Sequence, residues 1–223
     1  MSNTFQIWHG SRRWDGNPEV RPAKRGRAEW GAGIYGSTHF LTASSYAQGG
    51  GKVQLLTIQQ TRLLEKSCLP LSAVTDFIKR YIPRNLRSLM LEDCENNAER
   101  MRNKVLNICD PVGTGNADTT WIEADVLRNL MVNYEVISGV KGVTLANFYA
   151  EQGIGLSLDI GGMKPGEHWL VVYDPQLIVS WQSHTYETAL EIGHELPTPK
   201  PHTTEPVAYL RPMSRYSSIC YDR

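Results

Sequence analysis

Apolar and polar residues alternate near the start of the chain, over residues 5–8, and a β-rich run at 53–58 follows three glycines. A period of two is typical of a strand with one buried face, so both segments predict strands. Between them, residues 31–35 predict a tight turn into a short strand. Residues 42–47 predict a short helix capped by Thr42 or a nearby polar group. We therefore expect β, loop, β, short α, β.

The middle of the chain changes to helical spacing. Three helices are predicted from apolar positions three or four residues apart: Val74, Phe77, Ile78, Tyr81; Ala98, Met101, Val105, Ile108; and Val126, Leu127, Leu130, Met131, Tyr134. Thr120 and Glu123 have the spacing of a capping box, which places the start of the third helix there. Residues 59–134 are therefore predicted to form a helical insertion.

Strand patterns return after Gly139. Residues 142–146, 155–160 and 169–173 predict strands, and the continuous apolar run of the last is typical of a central strand. Beyond Ser183 the chain holds five prolines and no clear period. We expect one α+β domain over 1–183, followed at 184–223 by an extended tail that either wraps the domain or binds a partner.

Composition agrees with a folded domain. The chain has 223 residues, 41% of them hydrophobic, with 23 basic and 23 acidic side chains. No apolar run approaches the length of a membrane span, and residues 1–5 do not resemble a signal peptide, so we expect a cytoplasmic protein with no membrane partner. The cysteines are far apart in sequence and are predicted to be free thiols: Cys68, Cys94, Cys109, Cys220.

The zero net charge hides a gradient along the chain. Residues 1–58 hold seven cations and three anions, whereas residues 135–223 hold six and ten. Six of the seven N-terminal cations lie at 12–27 among prolines and glycines, which is the composition of a surface loop. A basic loop of this kind either is simply solvated or binds an anionic partner.

Common motifs of catalysis are missing. Gly113 and Gly115 lack the third glycine of a dinucleotide loop and follow a predicted helix, and no Gly-x-Ser-x-Gly elbow occurs. The spacing of His184, His194 and His202 does not suit a metal site, so no metal is expected. What remains is a set of polar and aromatic residues at predicted strand ends: His9, Gly10, Ser11, Gly33, Ile34, Tyr35, Tyr46, Glu167, His168.

These residues resemble the ADP-ribosyltransferase superfamily, in the branch of the poly(ADP-ribose) polymerases and many bacterial and phage toxins. The resemblance covers residues 5–58 and 140–180. It consists of His-Gly-Ser closing the first strand, Gly-Ile-Tyr opening the next, a second tyrosine eleven positions later, the run at 43–51, and the last strand with its Asp-Pro exit at 174–175.

The resemblance implies an α+β fold with a split, mostly antiparallel β-core of two packed sheets that binds NAD without a glycine-rich loop. It also implies displacement of nicotinamide from its ribose. In this interpretation His9 bonds a ribose hydroxyl and the backbone of Gly10 holds the nicotinamide amide. Ser11 also belongs to the cofactor site. Tyr35 and Tyr46 flank the ring, with Ser44 close by; such stacking positions the ring more than it drives the reaction.

The chain departs from the family at the catalytic carboxylate. Trp169 occupies the position where many members keep a glutamate, and Glu167 and His168 precede it. Glu167 shares a strand face with Trp169, about 6.6 Å further along. We favour Glu167 over His168 because an anion matches the oxocarbenium-like transition state. The alternative is that neither residue acts.

The function expected from this resemblance is NAD-dependent mono-ADP-ribosylation of a macromolecule by a toxin or phage-defence effector. The alternatives are an NAD glycohydrolase and a non-catalytic module that binds ADP-ribose or a partner. RNA is favoured as the acceptor over protein, because the basic loop begins and ends beside the predicted NAD site, where Trp14 could also stack on bases. The predicted nucleic-acid contacts are Lys24, Arg25, Arg27 and Trp30, and the tail is a candidate site for an antitoxin.

Overall fold

The computed structural model describes residues 4–24, 30–47, 51–102, 110–111, 119–158 and 164–199. Its strands are β1 (Thr4–Ser11), β2 (Ile34–Ser37), β3 (Lys52–Gln59), β4 (Arg62–Leu63), β5 (Ser67–Pro70), β6 (Asp110–Pro111), β7 (Trp121–Glu123), β8 (Ile154–Leu158), β9 (Trp169–Val172) and β10 (Ile178–His184). Its helices are α1 (Phe40–Tyr46), α2 (Leu71–Tyr81), α3 (Arg84–Arg102), α4 (Ala124–Asn133), α5 (Val140–Glu151) and α6 (Tyr186–Ile192). The α+β class is confirmed.

Seven strands form the main sheet in the order β10-β3-β1-β2-β9-β8-β4. All neighbours are antiparallel except β4 and β8. β1 pairs with β3 along its whole length, but it pairs with β2 at one position only, where Trp8 lies opposite Ser37. The sheet therefore consists of two halves, β10-β3-β1 and β2-β9-β8-β4. The strand pairing between the two halves has a single registered pair, Trp8 and Ser37. We call the space beyond this pair the opening.

One face of the sheet buries a cluster to which both halves contribute. Ile7 and Leu56 of the first half belong to the same buried cluster as Leu156 and Leu170 of the second. The cluster therefore continues across the junction between the two halves. We call this side of the sheet the concave face. Its packing is mainly strand against strand.

Helices cover the other, convex face in two groups. Helices α2 to α5 bury a large core against β9 and the turn before β2, with Tyr149 and Tyr173 fully enclosed. α1 and α6 bury a smaller cluster against β1 and β3, centred on Trp8, Phe40 and Ala189. Of these helices, α1 contacts both β1 and β2, next to the opening.

A second sheet, in the order β6-β5-β7, lies within the predicted helical insertion. Cys68 on β5 forms a disulfide, so the prediction that it is a free thiol is wrong, whereas Cys94 is a buried free thiol as expected. Burial raises the pKa of the Cys94 thiol to about 12. Stable disulfides are typical of oxidising compartments, a point that does not favour the predicted cytoplasmic location.

Several predicted elements differ in the structure. Residues 142–146 belong to helix α5 rather than to a strand, and 121–123 form strand β7, so Thr120 does not cap α4. Glu123 is the residue before α4, and it makes no side-chain cap there. Similarly, α1 begins at Phe40, ahead of the predicted cap Thr42. The helix spacing at 105 and 108 lies outside the described residues.

Residues 184–199 do not extend away from the domain. α6 follows β10 directly, and its Ala189 is fully buried. The backbone then returns to α1, where Phe40 N donates to His194 O at 2.8 Å and Leu196 N donates to Thr38 O at 2.8 Å. This part of the predicted tail packs on its own domain, and 200–223 lie outside the described residues. Across the described ranges, no helix has both the length and the apolarity of a membrane span.

Candidate functional site

His9 lies at the edge of the opening. Its Nδ1 is 2.6 Å from the backbone oxygen of Tyr35, on the strand from which β1 has just separated. A carbonyl oxygen only accepts, so Nδ1 carries the proton and Nε2 keeps a free lone pair. Burial lowers the pKa of His9, although the bond to Tyr35 opposes this effect. His9 is therefore a neutral imidazole with Nε2 as an acceptor.

Gly10 is a contact point between β1 and α1. A Cβ built on Gly10 would lie 1.6 Å from the backbone oxygen of Ala43, so no other residue fits there without moving the helix. This close approach brings the end of α1 beside the end of β1. Tyr46 is 56% exposed, and Ser44 is bonded to the Leu41 oxygen at 2.8 Å.

Two residues of the predicted NAD site, His9 and Tyr35, project from opposite faces of the sheet. His9 shares the concave face with Ile7, whereas Tyr35 packs against the large core on the convex face. The Tyr35 hydroxyl donates to Gly31 O at 2.6 Å, which ties the tyrosine to the turn before β2. Ser11 uses its hydroxyl to accept from Arg13 N at 3.2 Å. A ligand that meets both His9 and Tyr35 must lie in the opening itself.

Glu167 is buried on the convex face, below α1, with 5% of its surface exposed. Its carboxylate accepts from the Ser37 hydroxyl at 2.7 Å and from Lys164 N at 3.2 Å. Burial alone would raise the pKa of Glu167, but hydrogen bonds from the Thr42 and Ser37 hydroxyls, a contribution from the Trp169 indole and the Lys164 amide together lower it to about 2. Glu167 is thus an anion at neutral pH.

Trp169 and His168 flank this carboxylate differently. Trp169 lies directly opposite Ser37, and its indole N–H, although near enough to lower the pKa of Glu167, makes no hydrogen bond within the described ranges. The backbone of His168 exchanges hydrogen bonds with Thr38, whose N donates to His168 O at 3.0 Å and whose Oγ1 accepts from His168 N at 3.0 Å. Tyr35, Ser37 and Glu167 therefore share one face, and the predicted carboxylate lies near the predicted tyrosine.

The basic loop is partly neutralised by its own anions. Arg21 pairs with Asp15 at 2.7 Å and with Glu19 at 3.1 Å. Arg12, Arg13 and Lys24 form no ion pair with any residue that the structure describes. The predicted contacts Arg25 and Arg27 lie outside the described residues.

The two tryptophans near this loop are occupied by protein side chains. The guanidinium of Arg128 covers the Trp30 ring at 5.0 Å, and the indole packs against the large core. Trp14 has its ring centre 5.1 Å from that of His9 and 5.9 Å from that of Trp181. Trp181 is 40% exposed, so it is the more accessible stacking surface. It was not among the residues predicted from the sequence.

Two polar clusters, each centred on a buried side chain, were also missed. The first, which we call the arginine cluster, comprises Glu65, Arg128 and Ser157. The second, the glutamine row, comprises His9, Gln54 and Ser183 on three adjacent strands, β1, β3 and β10. A polar residue inside the apolar run 53–58 was the available signal for Gln54.

Among the residues that the structure describes, no group of three or more His, Cys, Asp or Glu side chains could hold a metal ion. Comparison of the chain with protein-family models, with curated proteins and with solved structures finds no match. The function is therefore inferred from the geometry of the site and from the resemblance of its residues to the ADP-ribosyltransferases.

Proposed function

We propose that the protein is an NAD-dependent mono-ADP-ribosyltransferase with the fold of that superfamily. The main support is the opening in the sheet, because β1 and β2 separate just where the His-Gly-Ser and Gly-Ile-Tyr segments face each other. An ionised carboxylate, Glu167, lies on the adjoining face. The combination offers a neutral acceptor on one face of the sheet, and an aromatic side chain and a fixed negative charge on the other face.

The proposed reaction is substitution at the anomeric carbon of the nicotinamide ribose. The bond from this carbon to the nicotinamide nitrogen breaks, and its electron pair leaves with nicotinamide, which departs as a neutral molecule. The acceptor's nucleophilic atom then forms the new bond and loses its proton to solvent. Positive charge develops on the ribose as the ring leaves, so a preorganised anion lowers the barrier.

In this proposal His9 accepts a hydrogen bond from a ribose hydroxyl through Nε2. The backbone of Gly10 holds the nicotinamide amide, with Ser11 next to it in the cofactor site. Tyr46, exposed at the end of α1, stacks on the ring with Ser44 near it. Tyr35 closes the opposite side of the ring. Glu167 supplies the negative charge, and His168 is the weaker candidate because an imidazole side chain carries no negative charge.

For the acceptor we propose a nucleic acid, with RNA ahead of DNA. Arg12, Arg13 and Lys24 carry charge that no described anion neutralises, and Arg12 and Arg13 follow directly on β1. Trp30 is a poor stacking platform because Arg128 already covers it. The alternatives are a protein with an acidic patch, which would use the same cations, and water, which would make the protein an NAD glycohydrolase.

A role in toxicity or phage defence remains part of the proposal, as does a regulator such as an antitoxin. Because residues 184–199 pack against α1, the segment proposed to bind such a partner narrows to 200–223. Loss of regulator binding on truncation after Pro199, with the fold retained, is the expected result. Unchanged binding would move the partner to another surface.

The test is incubation of the protein with labelled NAD and cell lysate, followed by separate nuclease and protease digestion. Nuclease-sensitive label is expected, whereas protease-sensitive label would favour the protein acceptor. Release of nicotinamide without transfer would favour the glycohydrolase. If NAD is not consumed, the enzymatic proposal is wrong and a binding module remains.

Substitutions assign the roles. We expect His9→Ala and Tyr35→Ala to abolish NAD turnover, and Glu167→Gln to reduce it at least about 100-fold, the usual cost of losing a key electrostatic group. His168→Ala should reduce NAD turnover less than Glu167→Gln does. Glu187→Gln is the matched control, because Glu187 lies exposed on α6. A larger effect of His168→Ala than of Glu167→Gln would reverse the assignment of the anion.

A further inference from the structure

The glutamine row crosses three strands on the concave face. His9 lies directly opposite Gln54, and Gln54 lies directly opposite Ser183. Side chains that face each other across antiparallel strands have Cβ atoms about 5 Å apart, so their polar ends can act on one ligand. The row begins at His9, at the edge of the opening.

Gln54 has an unsatisfied donor. The Ser183 hydroxyl donates to Gln54 Oε1 at 3.0 Å, which orients the amide, but the Gln54 Nε2 amino group donates to nothing in the described part of the chain. The residue is fully buried. A buried donor without a partner is rare in folded proteins, because it loses its bonds to water and gains none in return. Such a group suggests a ligand that supplies the missing acceptor.

Trp14, which packs on His9, has a second unsatisfied donor. Its ring lies against His9, and its buried indole N–H also finds no partner within the described residues. His9 contributes the complementary group, since Nε2 is a free acceptor. His9 thus lies opposite the residue that carries one unsatisfied donor and against the ring that carries the other.

A sugar diol matches this arrangement. Each hydroxyl both donates and accepts, so one hydroxyl can donate to His9 Nε2 while accepting from Gln54 Nε2, and its neighbour can accept from the Trp14 indole. A phosphate would leave the His9 lone pair facing another acceptor, and an apolar group would leave all three atoms unsatisfied. The chemistry favours a ribose.

We propose that Gln54, oriented by Ser183, forms with His9 a clamp for one ribose hydroxyl of NAD, and that Trp14 closes over the same ribose. The proposal extends the proposed function, which assigned a ribose contact to His9 alone. Because Gln54 is fully buried, a side chain above it must move before the ribose can enter, and we assign this movement to the Trp14 ring beside His9. Gln54 is thus a specificity residue for the sugar.

The test is calorimetry of ligand binding to three proteins: wild type, Gln54→Met and the control Gln182→Met. Methionine keeps the length of glutamine but has no amide. Gln182 is an exposed glutamine on β10 that lies opposite Leu55 and faces away from the row. The probes are NAD, ADP-ribose, and ADP-ribose analogues that each lack one ribose hydroxyl.

We expect Gln54→Met to bind NAD and ADP-ribose about tenfold more weakly with the fold retained, and Gln182→Met to bind like wild type. For the analogue without the clamped hydroxyl, wild type and Gln54→Met should bind equally. Equal binding of NAD and ADP-ribose by wild type and Gln54→Met would overturn the clamp while leaving the proposed function in place.

The converse failure is also distinguishable. If ADP-ribose binding depends on Gln54 but NAD is never consumed, the clamp is supported and the proposed transferase activity is wrong. If wild type binds neither NAD nor ADP-ribose, both proposals fail. Circular dichroism of each variant confirms that the comparison is made between folded proteins.

Discussion

The arginine cluster and the glutamine row are each centred on a buried polar side chain, Arg128 and Gln54, but they differ in how completely their hydrogen bonds are formed. In the arginine cluster, Arg128 Nη1 lies 3.4 Å from Glu65 Oε1 and donates to Ser157 Oγ at 3.1 Å. Ser157 donates to Glu65 Oε1, and Leu158 N donates to Oε2 at 3.2 Å. Both carboxylate oxygens are satisfied. In the glutamine row, by contrast, Gln54 Nε2 has no acceptor.

The difference separates two uses of buried polarity. A saturated cluster fixes elements relative to one another: Arg128 on α4 joins the turn that carries Glu65 to β8 and also covers Trp30, near the start of β2. An unsaturated row reduces stability in the free protein and is best explained by a ligand. Substitutions should therefore damage stability in the first region and binding in the second.

The largest effect is expected from Arg128→Leu. Removing one partner of a buried ion pair leaves the other charge uncompensated, which typically costs about 3 to 5 kcal/mol of unfolding free energy. Urea denaturation measures this loss. The control is Arg21→Leu, whose ion pairs with Asp15 and Glu19 are exposed and should matter little. A loss for Arg128→Leu no larger than for Arg21→Leu would contradict the structural role of the cluster.

The next largest effect is the pH dependence that Glu167 gives to the unfolding free energy. Its pKa is about 2 in the folded protein against an ordinary 4.5, so the anion stabilises the fold fully above pH 4.5 and progressively less as the pH falls towards 2. At about 1.4 kcal/mol per pH unit, the contribution is on the order of 3 kcal/mol. The stability difference between wild type and Glu167→Gln should shrink over this range. A constant difference from pH 7 to 2 would show that the carboxylate is not held as an anion.

The sequence predicted the parts of the fold in which each residue's neighbours along the chain reveal its environment. Strands β1, β3 and β9 followed from alternation or from a continuous apolar run, and α2 and α4 from helical spacing. Helix α5 was missed because its β-branched start suggested a strand. Its buried residues nevertheless keep helical spacing, at Gly142, Leu145, Ala146 and Tyr149.

The candidate site was only partly predictable for a related reason. Glu167 could be named from the sequence, but the hydroxyl that holds it, that of Ser37, is 130 positions away. Gln54 was missed because a single polar residue in an apolar run is ordinary, and only pairing with Ser183 and His9 shows that its amide is both oriented and unsatisfied. Sequence periodicity describes faces of elements, not the partners that those faces meet.

A matched pair of serine substitutions sharpens the comparison at smaller scale. Ser157→Ala removes a hydroxyl that both accepts from Arg128 and donates to Glu65. We expect it to lower the unfolding free energy by about 1 to 3 kcal/mol. Ser183→Ala removes one bond to a neutral amide at the sheet edge and should cost about 1 kcal/mol or less. Equilibrium denaturation compares the two. Equal losses would mean that the clusters do not differ in how strongly they hold the fold.

The smallest effect on stability is expected from Gln54→Met, although the residue is fully buried. A buried glutamine with a satisfied amide would lose about 1 to 3 kcal/mol on this change, because its partners would be left without bonds. Here the substitution removes an amino group that has no partner and leaves only the Ser183 hydroxyl, which faces solvent and can bond to water. The two contributions oppose each other, so the unfolding free energy should stay the same or rise slightly. A loss of several kcal/mol would show that the amide has a structural partner, and the glutamine row would then resemble the arginine cluster.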